Sequence, residues 1–232
     1  MTLPRQWQKH ALALRKRAGR LEGEYFRSVE RSYAHPDDVI SGDGTRVYGG
    51  RFVRPGVRAV YASADEHTAI REAAARKERL EGRSGIPLAD YPRTTYVIAV
   101  KLAVQIDLTI SDNDAEAVLP ACLDRNLADS QEAGEFWRAH GVQGILYPSA
   151  VPGLIGTNLV VFRDVVPEPE FVLVNRERII EELRRLSRST ESASTSIWGS
   201  ASTADTVWRC APRTPSAWTP ESSMSPRTLE TR

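Results

Sequence analysis

VRAVYASADEHTAIREAAARKERL, residues 57–80, is the stretch on which the fold class turns. Residues 57–62 are mostly apolar and read as a short buried strand. Ser63-Ala-Asp-Glu66 then supplies an S-x-x-E capping box, in which a hydroxyl and a carboxylate satisfy the free N–H groups of a helix start. Ala69, Ile70, Ala73 and Ala74 make a packed stripe at helical spacing, so the helix runs to about Leu80. Glu72 lies beside that stripe, roughly a turn from the N-terminus, and is a candidate for a partly buried carboxylate.

Outward from this unit, strands and helices mix. Residues 94–104, TTYVIAVKLAV, are rich in β-branched side chains and form the clearest strand, which residues 106–109 extend after a bend. Ser111 to Asp114 is a second capping signal, and helices follow over 115–123 and 129–140, the latter stopped by Gly141. Residues 144–147, 158–162 and 171–174 read as three more strands. A charged helix over 176–187 closes the domain, with Glu177, Arg178, Glu181, Glu182 and Arg185 placed for ion pairs.

Composition bounds the rest. A chain of 232 residues with 41% hydrophobic and 26% charged content is an ordinary globular protein with one main domain. Its 31 Lys and Arg nearly cancel its 30 Asp and Glu, so no global field favours nucleic acid or an anionic membrane, and any anion binding must come from local arginines. Cys122 and Cys210 are too few for a disulfide framework or a thiolate zinc site, and suit a reducing cytoplasm. His10, His35, His67 and His140 lack metal-ligand spacing, so no metal is expected. No apolar run approaches the roughly 20 residues needed to span a bilayer. Residues 1–23 read as a basic helix, with His10, Arg15, Lys16, Arg17 and Arg20 around Leu12 and Leu14, packed on the main domain at 24–188. From 189 to 232, Ser and Thr make up 18 of 44 residues and apolar periodicity vanishes, which reads as a disordered tail. Trp198, Trp208 and Trp218 recur there every ten residues. They are either anchors for a partner or part of a non-native extension of the reading frame.

Residues 41–56, SGDGTRVYGGRFVRPG, read as a loop built for close backbone approach, with Arg46, Arg51 and Arg54 within nine positions. Guanidinium forks beside glycines suit a pyrophosphate. Solvated arginines on a surface turn explain the spacing as well. No G-x-G-x-x-G occurs and no G-K-[ST] follows, so neither the Rossmann fingerprint nor a P-loop is present.

Taken in order, Phe26-Arg27, Gly49-Gly50-Arg51-Phe52, Val60-Tyr61-Ala62-Ser63, Ala69-Ile70-Arg71-Glu72, Tyr147-Pro148-Ser149 and Asn158-Leu159-Val160 resemble the blocks of the RES family over residues 24–175. That family takes its name from an arginine, a glutamate and a serine, matched here by Arg51 (with Arg27 as a further arginine), Glu72 and Ser149. The resemblance implies an α+β fold similar to the ADP-ribosyltransferase toxins: split antiparallel β-sheets around an NAD cleft with flanking helices. It implies a cytoplasmic toxin that degrades NAD by phosphorolysis, with inorganic phosphate as co-substrate, nicotinamide and ADP-ribose 1''-phosphate as products, and no resident cofactor. The implied partner is a small DNA-binding antitoxin that blocks the cleft. Transfer of ADP-ribose to a target protein, or a silent module that binds a nucleotide or partner, are the alternatives.

The residue types fit that chemistry. Loss of nicotinamide leaves an oxocarbenium-like ribose, which Glu72 is placed to stabilise, and the leaving group is already cationic and needs no general acid. Tyr61 would stack on nicotinamide or ribose and hydrogen-bond through its hydroxyl, and an ordinary core tyrosine explains its place as well. Arg27 and Arg51 would hold pyrophosphate or the attacking phosphate, and Ser149 would add a hydrogen bond, though a strand-end turn at Pro148-Ser149 explains it as well; without a surrounding G-x-S-x-G it is no hydrolase nucleophile. One departure stands out: Ser28 follows Arg27 where some family members carry an aromatic residue.

Overall fold

The strand–helix unit of residues 57–80 is present as β2, Ala59–Ser63, and α4, Glu66–Ser84. A computed structural model describes residues 5–85, 92–167, 170–177 and 179–181. The helix begins differently from the capping-box reading. Asp65 is the N-cap: its carboxylate accepts from the Thr68 backbone N–H at 2.8 Å and from the Thr68 hydroxyl at 2.7 Å. Ser63 is still in the strand, and an ionised acceptor at the positive end of the helix dipole takes the capping position. The same substitution of roles recurs at α5, Asn113–Leu123, which is capped by Asp112 and not by Ser111.

Five further strands and four further α-helices are described, besides a 3-10 turn at Arg31–Tyr33. α1 is Arg5–Lys16, β1 Gly19–Glu30, α2 Pro36–Ser41 and α3 Asp43–Tyr48. β3 is Arg93–Asp107, α6 Leu127–Ala139, β4 Gly144–Pro148, β5 Thr157–Phe162 and β6 Phe171–Leu173. The basic helix expected over residues 1–23 ends at Lys16, and residues 19–23 belong instead to β1. β1, α2 and α3 lie where no such element was expected. β1 is a twelve-residue strand whose sequence, GRLEGEYFRSVE, shows no apolar run because only Tyr25 and Val29 are buried. α3 forms inside the glycine-rich segment, where the buried Thr45 hydroxyl is pinned between the Gly42 carbonyl and the backbone of Ala59 on β2.

The sheet order is β1-β2-β5-β4-β3-β6, and β1 also pairs with β3. β1, β3 and β6 form one antiparallel group and β2, β5 and β4 another. The groups join at two short seams: Phe26 opposite Ser63, and a parallel stretch where Gln105–Asp107 meets Gly144–Leu146. The parallel seam follows from α5 and α6, which carry the chain across between β3 and β4. The bend expected near residue 105 is a bulge within β3, where the register against β1 shifts. Gln143 Oε1 accepts from the freed N–H groups of Ala103 and Val104 at 2.6 and 3.1 Å, so the irregularity leaves no orphan donor there.

Side chains alternate between two cores. Ala59, Ile145, Tyr147, Val160 and Phe162 face α1, α5 and α6, where Trp137 and Phe52 are fully buried. Val60, Ala62, Leu146, Leu159 and Val161 face the other way, against Tyr96, Ile98 and Val39. α1 packs Ala11 and Leu14 into the first core, and the Trp137 indole donates to the Ala11 carbonyl at 3.1 Å. Its basic side is tied to the start of α5 by His10 to Asp114 and Arg17 to Asp112. No helix among the described residues is long and apolar enough to cross a membrane. The closing helix expected over 176–187 is described only in part, and the tail from 189 to 232 lies outside the described residues.

Candidate functional site

On one face of β5 the chain runs Phe162, Val160, Asn158, from core to polar; on β2 the same face carries Ala59, Tyr61 and Ser63. Asn158 stands directly opposite Ser63 on β2 and Tyr147 on β4, so the apolar face ends in a polar row. Ser63 and Asn158 are both buried, and the Ser63 hydroxyl donates to Asn158 Oδ1 at 2.7 Å. Glu72 reaches this row from α4. Its Oε1 accepts from Asn158 Nδ2 at 2.6 Å and from the Ser149 hydroxyl at 2.7 Å. Hydrogen bonds to a charged group contribute about 1.5–3 kcal/mol each, enough to fix one carboxylate rotamer against the entropy of a glutamate side chain. Ser149 is itself held, its oxygen accepting from the Val151 N–H at 3.1 Å. Glu72 Oε2 has no hydrogen-bond partner among the described residues and is not among the buried unsatisfied atoms.

Tyr61 joins the two halves of the site. Its carbonyl accepts from Arg27 Nη1 at 2.8 Å, across the β1–β2 seam, and its phenol oxygen accepts from the Phe52 N–H at 2.9 Å. The phenolic proton therefore remains available to donate. Burial pushes the phenol pKa upward, so the group stays protonated at neutral pH. The ring is covered by Gly50, where a Cβ would stand 2.6 Å from the hydroxyl; only glycine lets the segment lie there. α6 clamps the same segment from outside: Ser130 donates to the Arg51 carbonyl and Gln131 to the Gly50 carbonyl. Gly134 faces the Phe52 carbonyl, and a Cβ there would be 2.0 Å from that oxygen.

The three arginines of the glycine-rich segment separate. Arg46 pairs with Asp43, and Arg54 with Glu132 and Glu135 on α6, so both have acidic partners. Arg51 alone turns towards the tyrosines. Its Nη1 donates to the carbonyls of Cys122 and Asp124 at 2.8 and 3.0 Å, closing the end of α5, while its charge acts on Tyr61 and Tyr147. Arg27 is lowered to about 10, chiefly by burial and also by the charge of Arg76. Its Nε is buried without a partner. Arg76 and Arg79 lie one and two turns beyond Glu72 on α4, and their charges are felt at Tyr61 and Tyr147 respectively. The site thus combines one oriented carboxylate with two tyrosines on which the charges of Arg51, Arg76 and Arg79 act, an arrangement suited to a ligand that carries both a developing cation and phosphate anions.

Of the residues singled out from sequence, Glu72 and Ser149 touch, and Arg27 touches Tyr61. Arg51 lies in the same neighbourhood but is bonded to α5. Tyr147 packs edge-on against Phe52, ring centroids 4.9 Å apart. Asn158, Ser63, Arg76 and Arg79 had no assigned role; the i, i+4, i+7 spacing from Glu72 marks the two arginines, whereas the Ser63–Asn158 contact depends on strand register. A cavity of about 490 Å³ lined by Asp37, Ile40, Ser41, Arg58, Arg163, Asp164 and Val166 contains none of these residues. Its acidic and basic groups balance, so the Glu72 cluster is the better candidate.

The RES domain family matches residues 24–184. The chain belongs to the RES family. Among solved structures, this RES protein is similar to a chain in the crystal structure of the M. tuberculosis MbcT-MbcA toxin-antitoxin complex. The TM-score is 0.58 at 21% identity, covering 74% of this chain and 91% of that one. At that identity the likeness is one of fold. No curated protein sequence matches the chain.

Proposed function

We propose that this RES protein is a toxin that cleaves NAD by phosphorolysis. The bond between the nicotinamide nitrogen and ribose C1'' breaks, its electron pair leaving with nicotinamide. A phosphate oxygen forms the new bond to C1'', giving ADP-ribose 1''-phosphate. The observation that carries this reading is Glu72, a carboxylate fixed through Oε1 by Ser149 and Asn158 and with Oε2 unengaged. A fixed negative charge beside the ribose stabilises the oxocarbenium-like transition state without any reorganisation during reaction. Arg27, Arg51 and Arg76 supply cations for the pyrophosphate and the attacking phosphate. Tyr61 donates its phenolic proton to the ribose or nicotinamide amide.

Membership of the RES family and two strand groups meeting at short seams both support an ADP-ribosyltransferase-like cleft. The likeness to a chain solved in a toxin-antitoxin complex supports a partner of the antitoxin class, here a small DNA-binding protein that covers the cleft in the cytoplasm. The test is nicotinamide release from NAD by purified protein, with and without inorganic phosphate, beside Glu72→Ala. Phosphate-dependent release that disappears in the variant is the expected result. Release independent of phosphate, with ADP-ribose appearing on protein, would replace phosphorolysis by transfer; no release would overturn both.

A further inference from the structure

We propose that Asn158 is a positioning residue for Glu72, oriented in turn by Ser63, and that this chain of side chains fixes which carboxylate oxygen faces the ribose. The inference rests on the reading of Glu72 as the group beside the scissile bond. An ionised carboxylate only accepts, so the Asn158 amide must present Nδ2 to Glu72 and Oδ1 away from it. Oδ1 then needs a donor in a buried place, and the Ser63 hydroxyl provides it at 2.7 Å. The cross-strand register sets both contacts, since Ser63 and Asn158 are direct partners between β2 and β5.

Ser149 and Asn158 both donate to the same oxygen, Oε1, at 2.7 and 2.6 Å. With Oε1 engaged twice from the sheet side, rotation about the carboxylate is blocked and Oε2 is the oxygen presented outward. Removing one donor restores that rotation, and a misplacement on the order of 1 Å costs roughly 100-fold in rate. Ser149 connects Glu72 to the chain after β4, and Asn158 connects it to β5, so the two anchors are not redundant.

The test uses the full chain and steady-state nicotinamide release. Asn158→Ala lowers kcat about 10- to 100-fold and leaves KM for NAD within about threefold. Asn158→Asp is equally slow at neutral pH but recovers as pH falls from about 7 towards 5. The introduced carboxyl lies beside Glu72, with Tyr147, Tyr61, Arg51 and Arg79 around them, and once protonated it donates to Oε1. The wild type shows no such rise. Ser63→Ala loses a smaller factor and Ser63→Thr, which keeps the hydroxyl, restores it. Unchanged kcat in Asn158→Ala, or equal losses in the Ala and Asp variants at every pH, overturns the proposal. Should the wild type release no nicotinamide, the phosphorolysis reading falls and positioning is read from NAD affinity by calorimetry. In that case a non-additive cycle between Glu72→Gln and Asn158→Ala supports it. Additive losses, or no NAD binding, overturn it.

Discussion

The two sides of the Glu72 site are held by different means. Glu72 is oriented by side chains, Ser149 and Asn158, with Ser63 behind them. The arginine wall is oriented by main chain: Arg27 donates to the Tyr61 carbonyl and Arg51 to the carbonyls of Cys122 and Asp124. A side-chain anchor is lost with one substitution. A main-chain anchor is lost only if the backbone that bears it moves, and the Gly50–Arg51 backbone that carries Arg51 is itself held by Ser130 and Gln131 of α6. The carboxylate wall therefore concentrates its sensitivity in a few residues, and the arginine wall distributes it through packing.

The largest expected effect tests the first half of that contrast. Glu72→Gln keeps a carbonyl oxygen for Ser149 and Asn158 but removes the charge, so nicotinamide release should fall about 100- to 1,000-fold while thermal stability changes little. A loss under tenfold would make the carboxylate a scaffold and not an electrostatic participant. Gly134→Ala tests the second half. The new Cβ would stand 2.0 Å from the Phe52 carbonyl, a clash with main chain that forces α6 away from the Gly50–Phe52 segment. Overpacking of this kind costs about 3 kcal/mol, or a fall in Tm of roughly 6–12 °C for a domain of this size. Gly44→Ala, with nothing within 4 Å of its added methyl, should leave Tm nearly unchanged and serves as the control. Equal Tm for the two variants would show that the arginine wall does not depend on close approach of α6.

Arg51→Lys separates charge from geometry on the same wall. Lysine keeps the cation but lacks the planar fork that reaches two carbonyls and retains N–H groups for an anion. The expected result is a KM for NAD raised about tenfold, near 1.4 kcal/mol, with kcat less affected. An unchanged KM would confine Arg51 to closing the end of α5.

This contrast also explains what the sequence revealed. β2 and α4 were legible because an apolar strand and a 3.6-residue stripe are patterns of side chains, and the named residues Arg51, Tyr61, Glu72 and Ser149 stood in recognisable blocks. β1 was not legible: it is buried only at Tyr25 and Val29, and its pairing with β3 is made by backbone groups that every residue carries. The helical turn at α3 was hidden among glycines because Thr45 is fixed by β2, a contact remote in sequence. Asn158 stood in a quoted block yet carried no role, since its meaning lies in the register that sets it opposite Ser63. The anchors of Arg27 and Arg51 are carbonyl oxygens, which leave no trace in residue identity. Capping was legible in kind but shifted in place, to Asp65 and Asp112, because the strand or loop before each helix runs further than the motif allowed.

The smallest effect addresses whether the helix start or the side-chain anchors orient Glu72. The Asp65 carboxyl is held below the usual carboxylate range, first by the Thr68 backbone N–H and next by the Thr68 hydroxyl, with partial desolvation opposing them. A carboxyl whose folded pKa is depressed contributes stability above its unfolded value of about 3.9, and that contribution is lost as pH falls through the folded value. Asp65→Ala should therefore cost about 1 kcal/mol near pH 7, and its deficit relative to the wild type should narrow below about pH 4. Asp65→Asn keeps an acceptor without titrating, so its smaller deficit should vary far less with pH. Nicotinamide release should survive both substitutions at temperatures well below Tm, because Glu72 lies beyond the frayed turn and is held at Oε1 by Ser149 and Asn158. If kcat instead follows the loss of the cap, the rigidity of α4 orients the carboxylate and the side-chain anchors only follow it.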